Sequence, residues 1–256
     1  MSDAELLALA DRLARAAGAA IMAVRAAGFT VQDKPDHSPV TAADTAAEAL
    51  ILAGLHAAAP AIAAIAEEAM AGGARTVAGE EFWLVDPLDG TREFAAGSDD
   101  FTVNIGLVRG NRPVLGAVYV PASDEMFTAI VGTGAWKHDR AGHHPITTRA
   151  MPAAGAVVLA SRHHGADARE ATWLAARPVA RVQRLGSAVK FLRLAEGVAD
   201  LYPRFGRTME WDTAAPQAVL EAAGGAVLRA DGTSLDYRKP GWDNPAFFCF
   251  GQDPRR

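Results

Sequence analysis

The segment Phe82-Trp83-Leu84-Val85 constrains this chain most, because it runs straight into Asp86-Pro87-Leu88-Asp89-Gly90-Thr91. A short, wholly apolar run rich in aromatic and branched residues reads as a buried strand. A strand emptying into a tight turn can aim both aspartates, and the carbonyl between them, at one point. Hard cations such as Mg²⁺ take oxygen ligands of this kind. Pro87 fixes one backbone dihedral and removes a donor, while Gly90 permits a conformation and an approach that a side chain would block. If a helix begins at Gly90-Thr91, its free amides also offer an anion site. Taken alone, Asp89-Gly90 is equally an ordinary turn pair.

Helical spacing flanks this strand on its N-terminal side. Leu6, Leu7, Ala10, Leu13, Ala17, Ile21 and Val24 predict a helix over 4–27, and Thr41–Ala57 predicts a second. The polar stretch Asp33–Pro39 between them reads as a loop, and Ile62–Ala66 as a short strand ending at Glu67-Glu68. After the central strand, Thr102–Val108, Pro113–Val120 and Glu125–Val131 predict further strands, the first two joined by a hairpin at Gly110-Asn111. The second half alternates strands (156–160, 179–182, 199–202, 226–229) with helices (166–175, 187–196, 213–223), the pattern of an α/β unit. Two subdomains are expected, residues 1–145 and 146–256, meeting in a loop around Arg140–Pro152.

Charge divides along the same line. Residues 1–150 hold 11 basic against 19 acidic side chains; between Arg162 and Arg207 there are nine basic against four acidic. An acidic half suits cations and a basic segment suits an anionic ligand. A net charge of −5 argues against long nucleic acids as partners. No apolar run reaches the roughly 18 residues of a membrane span. The acidic N-terminus lacks signal-peptide character, so a cytoplasmic location is expected. The single cysteine, Cys249, reads as a buried strand thiol and rules out an intrachain disulfide. His143-His144 reads as surface loop, and no HExxH pattern supports zinc. Glu67-Glu68 in isolation is a solvated pair, Arg92-Glu93 either an exposed pair or one that orients the site, and Asp212, before Thr213-Ala214-Ala215, a helix N-cap.

Taken together, Ser38-Pro39-Val40-Thr41-Ala42-Ala43-Asp44, Glu67-Glu68, Asp86–Thr91 and Trp211-Asp212-Thr213-Ala214-Ala215 resemble the inositol monophosphatase superfamily, in order and over nearly the whole chain. The resemblance implies a five-layer α-β-α-β-α sandwich, an α/β fold shared with the fructose-1,6-bisphosphatases, and two or three Mg²⁺ ions. By motif position it implies metal ligation by the carboxylates of Glu67, Asp86, Asp89 and Asp212 and by the Leu88 carbonyl. It sets Asp44 and Thr91 beside the nucleophilic water, with Glu67 in the catalytic group, and gives the phosphate the amides of Gly90 and Thr91.

The continuation Gly90-Thr91-Arg92-Glu93-Phe94 is similar to the CysQ-type 3′(2′),5′-bisphosphate nucleotidase branch, as are Phe101–Leu107, Ser187–Phe191 and Leu201–Gly206. This implies nucleotide contacts from Ser187, Lys190, Arg204 and His164. The implied reaction is hydrolysis of the 3′-phosphate of adenosine 3′,5′-bisphosphate, and also of 3′-phosphoadenylyl sulfate, as in sulfur assimilation. The alternatives are inositol phosphate or fructose bisphosphate hydrolysis on the same fold, and a non-catalytic nucleotide or metal sensor. A homodimer is compatible with each. Three positions depart from the family pattern: Ala66 where a serine often precedes the glutamates, Ala188 for a second serine, and Pro216 for a glycine, in what reads as the first turn of its helix.

Overall fold

The computed structural model describes residues 1–33, 39–162 and 168–255. The expected site residue His164, and Ser38 of the first motif, lie outside them. Helix α1 (Asp3–Ala27) is followed by β1 (Gln32–Asp33), β2 (Pro39–Val40), α2 (Ala42–Ala58), β3 (Ala63–Ala66) and the short α3 (Glu67–Ala71). Strand β4 (Glu81–Asp89) leads through α4 (Thr91–Ala95) into a meander: β5 (Thr102–Arg109), β6 (Arg112–Val120), β7 (Glu125–Ile130), β8 (Gly134–Asp139) and β9 (Gly142–Ile146). Next come β10 (Ala156–Ser161), α5 (Ala168–Ala175), β11 (Val179–Leu185), α6 (Val189–Ala195) and β12 (Leu201–Arg204). The chain closes with β13 (Thr208–Met209), α7 (Glu210–Ala222), β14 (Ala226–Arg229), β15 (Asp243–Asn244) and β16 (Phe247–Phe250).

Strands β3 to β9 form one seven-stranded sheet in sequence order, with only β3 and β4 parallel. A five-stranded sheet runs β11-β10-β12-β16-β14, parallel across its first three strands and antiparallel thereafter. Helices α1 and α2 cover one face of the larger sheet, α6 and α7 lie between the sheets, and Trp173 and Leu174 of α5 pack on the outer face of the smaller one. These are the five expected layers. Both faces of β4 are buried along Phe82–Val85, which is why that run is apolar: Trp83 and Val85 join the core under α1 and α2, while Phe82 and Leu84 meet Trp211 and Ala214 of α7. Among the described residues no helix is long and apolar enough to cross a membrane.

The middle layer needs a device that sequence spacing does not reveal. Helix α7 belongs to the second half of the chain but packs on β4, β5, β6 and β7. It approaches at Gly106 and Gly116, which are paired across β5 and β6. A Cβ on Gly106 would lie 2.6 Å from the Ala215 nitrogen, and one on Gly116 would lie 2.3 Å from the Ala215 carbonyl oxygen. The two glycines thus form a flat seat for the helix backbone.

Ion pairs tie the same layers together. Glu125 on β7 pairs with Lys137 of β8 and, at 2.5 Å, with Arg193 of α6; Lys137 also reaches Glu196 at 2.9 Å.

Several expected boundaries move. Strands β8 and β9 were not anticipated, so His143 and His144 lie on a strand rather than in a loop, with His143 paired to His138 and Trp136 stacked on its ring. Part of the stretch Arg140–Pro152 is therefore sheet. Helix α7 starts at Glu210, three residues early, which puts Pro216 in its interior. The amide that Pro216 lacks would have bonded the Asp212 carbonyl one turn back.

Candidate active site

Asp86 and Asp89 are three residues apart, so on a regular strand they would face opposite sides of the sheet. The structure resolves this with a β-bulge where the sequence implied a turn. Asp86 stands opposite Asn104, and Asp89 opposite Thr102, so three steps on β4 match two on β5. Asn104 and Thr102 share a face, as their 2.9 Å hydrogen bond requires, and the two aspartates therefore share it too. It is the face turned toward α7. Inside the bulge the Leu88 amide donates to Asp86 Oδ1 at 3.0 Å. Gly90 then turns the chain with φ 95, where a Cβ would meet the Asp100 carbonyl oxygen at 2.9 Å and Ser187 Cβ at 3.2 Å.

Glu67 is the first residue of α3, whose N-cap, Ala66, offers no side-chain hydrogen bond. The missing cap comes from α2. Buried Glu48 accepts the Glu68 amide at 2.7 Å and the Ala69 amide at 2.8 Å. Glu48 lies one helical turn beyond Asp44, so α2 supports both Asp44 and the entry to α3. No sequence motif marks Glu48; the departure at Ala66 is the one signal that a cap must come from elsewhere.

Asp212 is the third residue of α7, not its N-cap. Its Oδ2 accepts the Met209 amide at 2.9 Å, the reciprocal half of a capping box. The side chain lines the same cavity as Glu67, Asp86 and Asp89.

Thr91 and Asp44 are brought together as expected. Thr91 Oγ1 donates to Asp44 Oδ1 at 2.9 Å and lies 3.1 Å from the Leu88 carbonyl oxygen. The other oxygen, Asp44 Oδ2, accepts the Thr41 amide at 2.8 Å and the Thr41 hydroxyl at 2.7 Å. One carboxylate therefore caps α2 and orients the Thr91 hydroxyl. Burial raises the affinity of Asp44 for a proton, an effect its hydrogen bonds oppose.

Ser187, Lys190 and Arg204, from the basic half, line the cavity with the aspartates. Ser187 takes φ 43, the left-handed region. Next to it the Ala188 amide donates to Asp89 Oδ2 at 2.5 Å, and the Gly186 amide donates to Asp100 Oδ2 at 3.1 Å. Asp100 also takes Arg162 at 2.5 Å, so the turn at 186–188 is clamped to the first half from two sides. Lys190 is buried and donates to the carbonyls of Ser187 at 2.6 Å and Leu185 at 3.2 Å. Burial lowers its pKa to about 8 despite the opposing charge of Asp89. Glu93 is buried against Gly186 while Arg92 is exposed, so of the two readings the sequence left open, an exposed pair and a pair that orients the site, the exposed pair does not form.

The cavity has a volume of about 250 Å³ and its walls carry five carboxylates against three cations. Burial, then the charges of Glu67, Asp89 and Asp212, push Asp86 well above the ordinary carboxylate range. Burial, then the charges of Asp89 and Glu67, raise Asp212, and burial raises Asp89 to about 6. Crowded buried carboxylates repel each other unless protons or a cation intervene. Among the described residues no three His, Cys, Asp or Glu side chains are already drawn into a closed ligand set. Each of Asp86, Asp89 and Asp212 instead gives one oxygen to a backbone amide, a bond that does not need the second oxygen. An all-oxygen donor set of this charge fits a hard divalent cation.

Comparison with known proteins identifies the family. The model of the inositol monophosphatase family matches residues 2–246. The 3′(2′),5′-bisphosphate nucleotidase CysQ of Escherichia coli O157:H7 is 43% identical over 239 residues, covering 92% of this chain and 96% of that protein. Its counterpart from Buchnera aphidicola is 37% identical, covering 88% and 85%. Among solved structures, CysQ from Bacteroides thetaiotaomicron superposes with a TM-score of 0.82 at 30% identity over 98% of both chains. The inositol monophosphatase from Anabaena gives 0.78 at 28% identity, covering 97% of this chain and 91% of that one.

Proposed function

The chain belongs to the inositol monophosphatase family, and from that premise we propose that it is a Mg²⁺-dependent phosphatase releasing the 3′-phosphate of adenosine 3′,5′-bisphosphate, leaving AMP. The observation that carries this reading is the hydrogen bond from Thr91 to Asp44, Thr91 lining a cavity that joins Glu67, Asp86, Asp89 and Asp212 to Lys190 and Arg204. The nucleotide as substrate is supported by the names of the relatives that match most of the chain.

Glu67, Asp86 and the Leu88 carbonyl would hold one ion, and Asp86, Asp89 and Asp212 a second. Bound there, Mg²⁺ supplies charge neutralisation at the phosphoryl and leaving oxygens and acidifies water. The protein's own part is proton handling and positioning. Thr91 has one hydroxyl proton and two lone pairs. Donating to Asp44 leaves the lone pairs free to accept from the attacking water. As the water loses its proton to Thr91 Oγ1, the threonine proton passes to Asp44 Oδ1. Amides of Gly90 and Thr91, at the free start of α4, orient the phosphate. Ser187 and Arg204 contact the nucleotide, and Lys190 holds positive charge beside Asp89.

The test is phosphate release from adenosine 3′,5′-bisphosphate, inositol 1-phosphate and fructose 1,6-bisphosphate, each with and without Mg²⁺, for the native chain and Asp86→Asn. Release from the adenosine bisphosphate should dominate, require Mg²⁺ and vanish in the variant. Near-normal turnover in Asp86→Asn, or preference for either sugar phosphate, would overturn the reading.

A further inference from the structure

A second cavity of about 370 Å³ opens at the opposite end of the five-stranded sheet. Leu201 at the start of β12 and Phe250 at the end of β16 line it, whereas Arg204 and Phe247, at the other ends of these strands, line the candidate active site. The two cavities are thus separated by the length of a four-residue strand, roughly 10 Å.

The wall combines an apolar surface with one cation that no carboxylate among the described residues pairs. Met151, Pro178, Leu201, Phe250 and Pro254 supply the apolar part. Both carboxylates at the wall are already engaged. Asp200 takes Arg149 through two bonds of 2.8 and 3.0 Å, as well as the Val157 amide at 2.7 Å. Asp253 is paired with Arg255 at 2.9 Å. The remaining cation is Arg177. It lies 3.7 Å from the centre of the Trp173 ring and donates to the Trp173 carbonyl at 2.8 Å. Among the described residues no carboxylate pairs with it, and burial lowers its pKa with nothing opposing. A half-buried guanidinium resting on an indole is held in place, and among the described residues it lacks a counter-charge.

We propose that this cavity is a binding site for a small organic anion with a flat apolar body, an aromatic carboxylate, sulfonate or phosphate ester. The anionic group pairs with Arg177 and the body lies between Met151, Leu201 and Phe250. The volume falls in the range of small-molecule sites, about 300–1,000 Å³. The site is separate from the proposed catalysis and does not depend on it.

The test is titration of the full chain with 8-anilinonaphthalene-1-sulfonate, followed by ¹H–¹⁵N correlation spectra, with neutral N-phenyl-1-naphthylamine as the control. Shifts should centre on the amides of Met151, Val179, Leu201, Phe250 and Gln252. Arg177→Gln should raise Kd by about tenfold or more, the loss of one charge-assisted contact. Met151→Trp narrows the mouth at an exposed position without touching an ion pair, and should also weaken binding if Arg177→Gln does not fold. Shifts centred on Gly90, Thr91 and Ser187, equal affinity for the neutral amine, or unchanged affinity in the variants would each overturn the proposal.

Discussion

Glu48 on α2 accepts the amide of Glu68 at 2.7 Å, and so holds the helix start on which Glu67 stands. Residues that orient a metal ligand typically matter by about 10–100-fold in metal affinity. Glu48→Ala is expected to raise the Mg²⁺ concentration for half-maximal activity within that range, with a smaller change in the rate at saturating Mg²⁺. Glu48→Gln, which keeps one good acceptor, should fall between. A Mg²⁺ titration of activity checks this; an unchanged midpoint in Glu48→Ala would count against the positioning role.

Thr91 separates positioning from mere packing. Thr91→Val keeps the shape and removes the hydroxyl that donates to Asp44. Loss of a proton-transfer group costs about 10²–10⁴ in rate. We expect kcat to fall by about 10² or more with little change in KM, and Thr91→Ser to recover most of the loss. Steady-state kinetics on the three proteins decides; equal kcat in the valine and serine variants would contradict the assignment.

The glycine seat under α7 makes a prediction about stability. Gly116→Ala drives a methyl toward the Ala215 carbonyl, which is backbone and cannot rotate away. Overpacking of this kind costs about 1–3 kcal/mol. Urea unfolding should show the loss as a lower midpoint. Activity should fall as well, since α7 carries Asp212; a variant as stable and active as the native chain would show that the helix can shift freely.

Glu125 provides a test by pH. Its carboxylate, bound to Arg193 and Lys137, is held down at about 2 in the folded chain against an ordinary 4.5. A depressed folded pKa contributes stability that is fully present above the unfolded value and is lost as pH falls through the folded one. Glu125→Gln should therefore destabilise by about 2 kcal/mol at pH 7, and the gap to the native chain should shrink between about pH 4.5 and pH 2. Denaturant unfolding of both proteins at pH 7 and pH 3 measures it. A gap that stays constant would mean that the effect is packing.

The sequence by itself determined where the main helices and strands lie and where the acidic and basic residues gather. Apolar periodicity gave α1 and α2, the run at Phe82–Val85 predicted a buried strand, and the charge distribution made residues 1–150 acidic and the segment Arg162–Arg207 basic. These properties are local, repeated every two or three to four residues, and survive without knowledge of partners. Tertiary structure decided how the pieces face one another. Asp86 and Asp89 share a face only because β5 is one residue shorter across the bulge. Asp212 reaches them only because Gly106 and Gly116, paired across two strands, let the backbone of α7 come down onto the sheet. Glu48, 20 residues before Glu68 whose amide it accepts, replaces the cap absent at Ala66. Each of these is a contact between distant segments, and its physical basis is close approach and register, which no residue encodes alone.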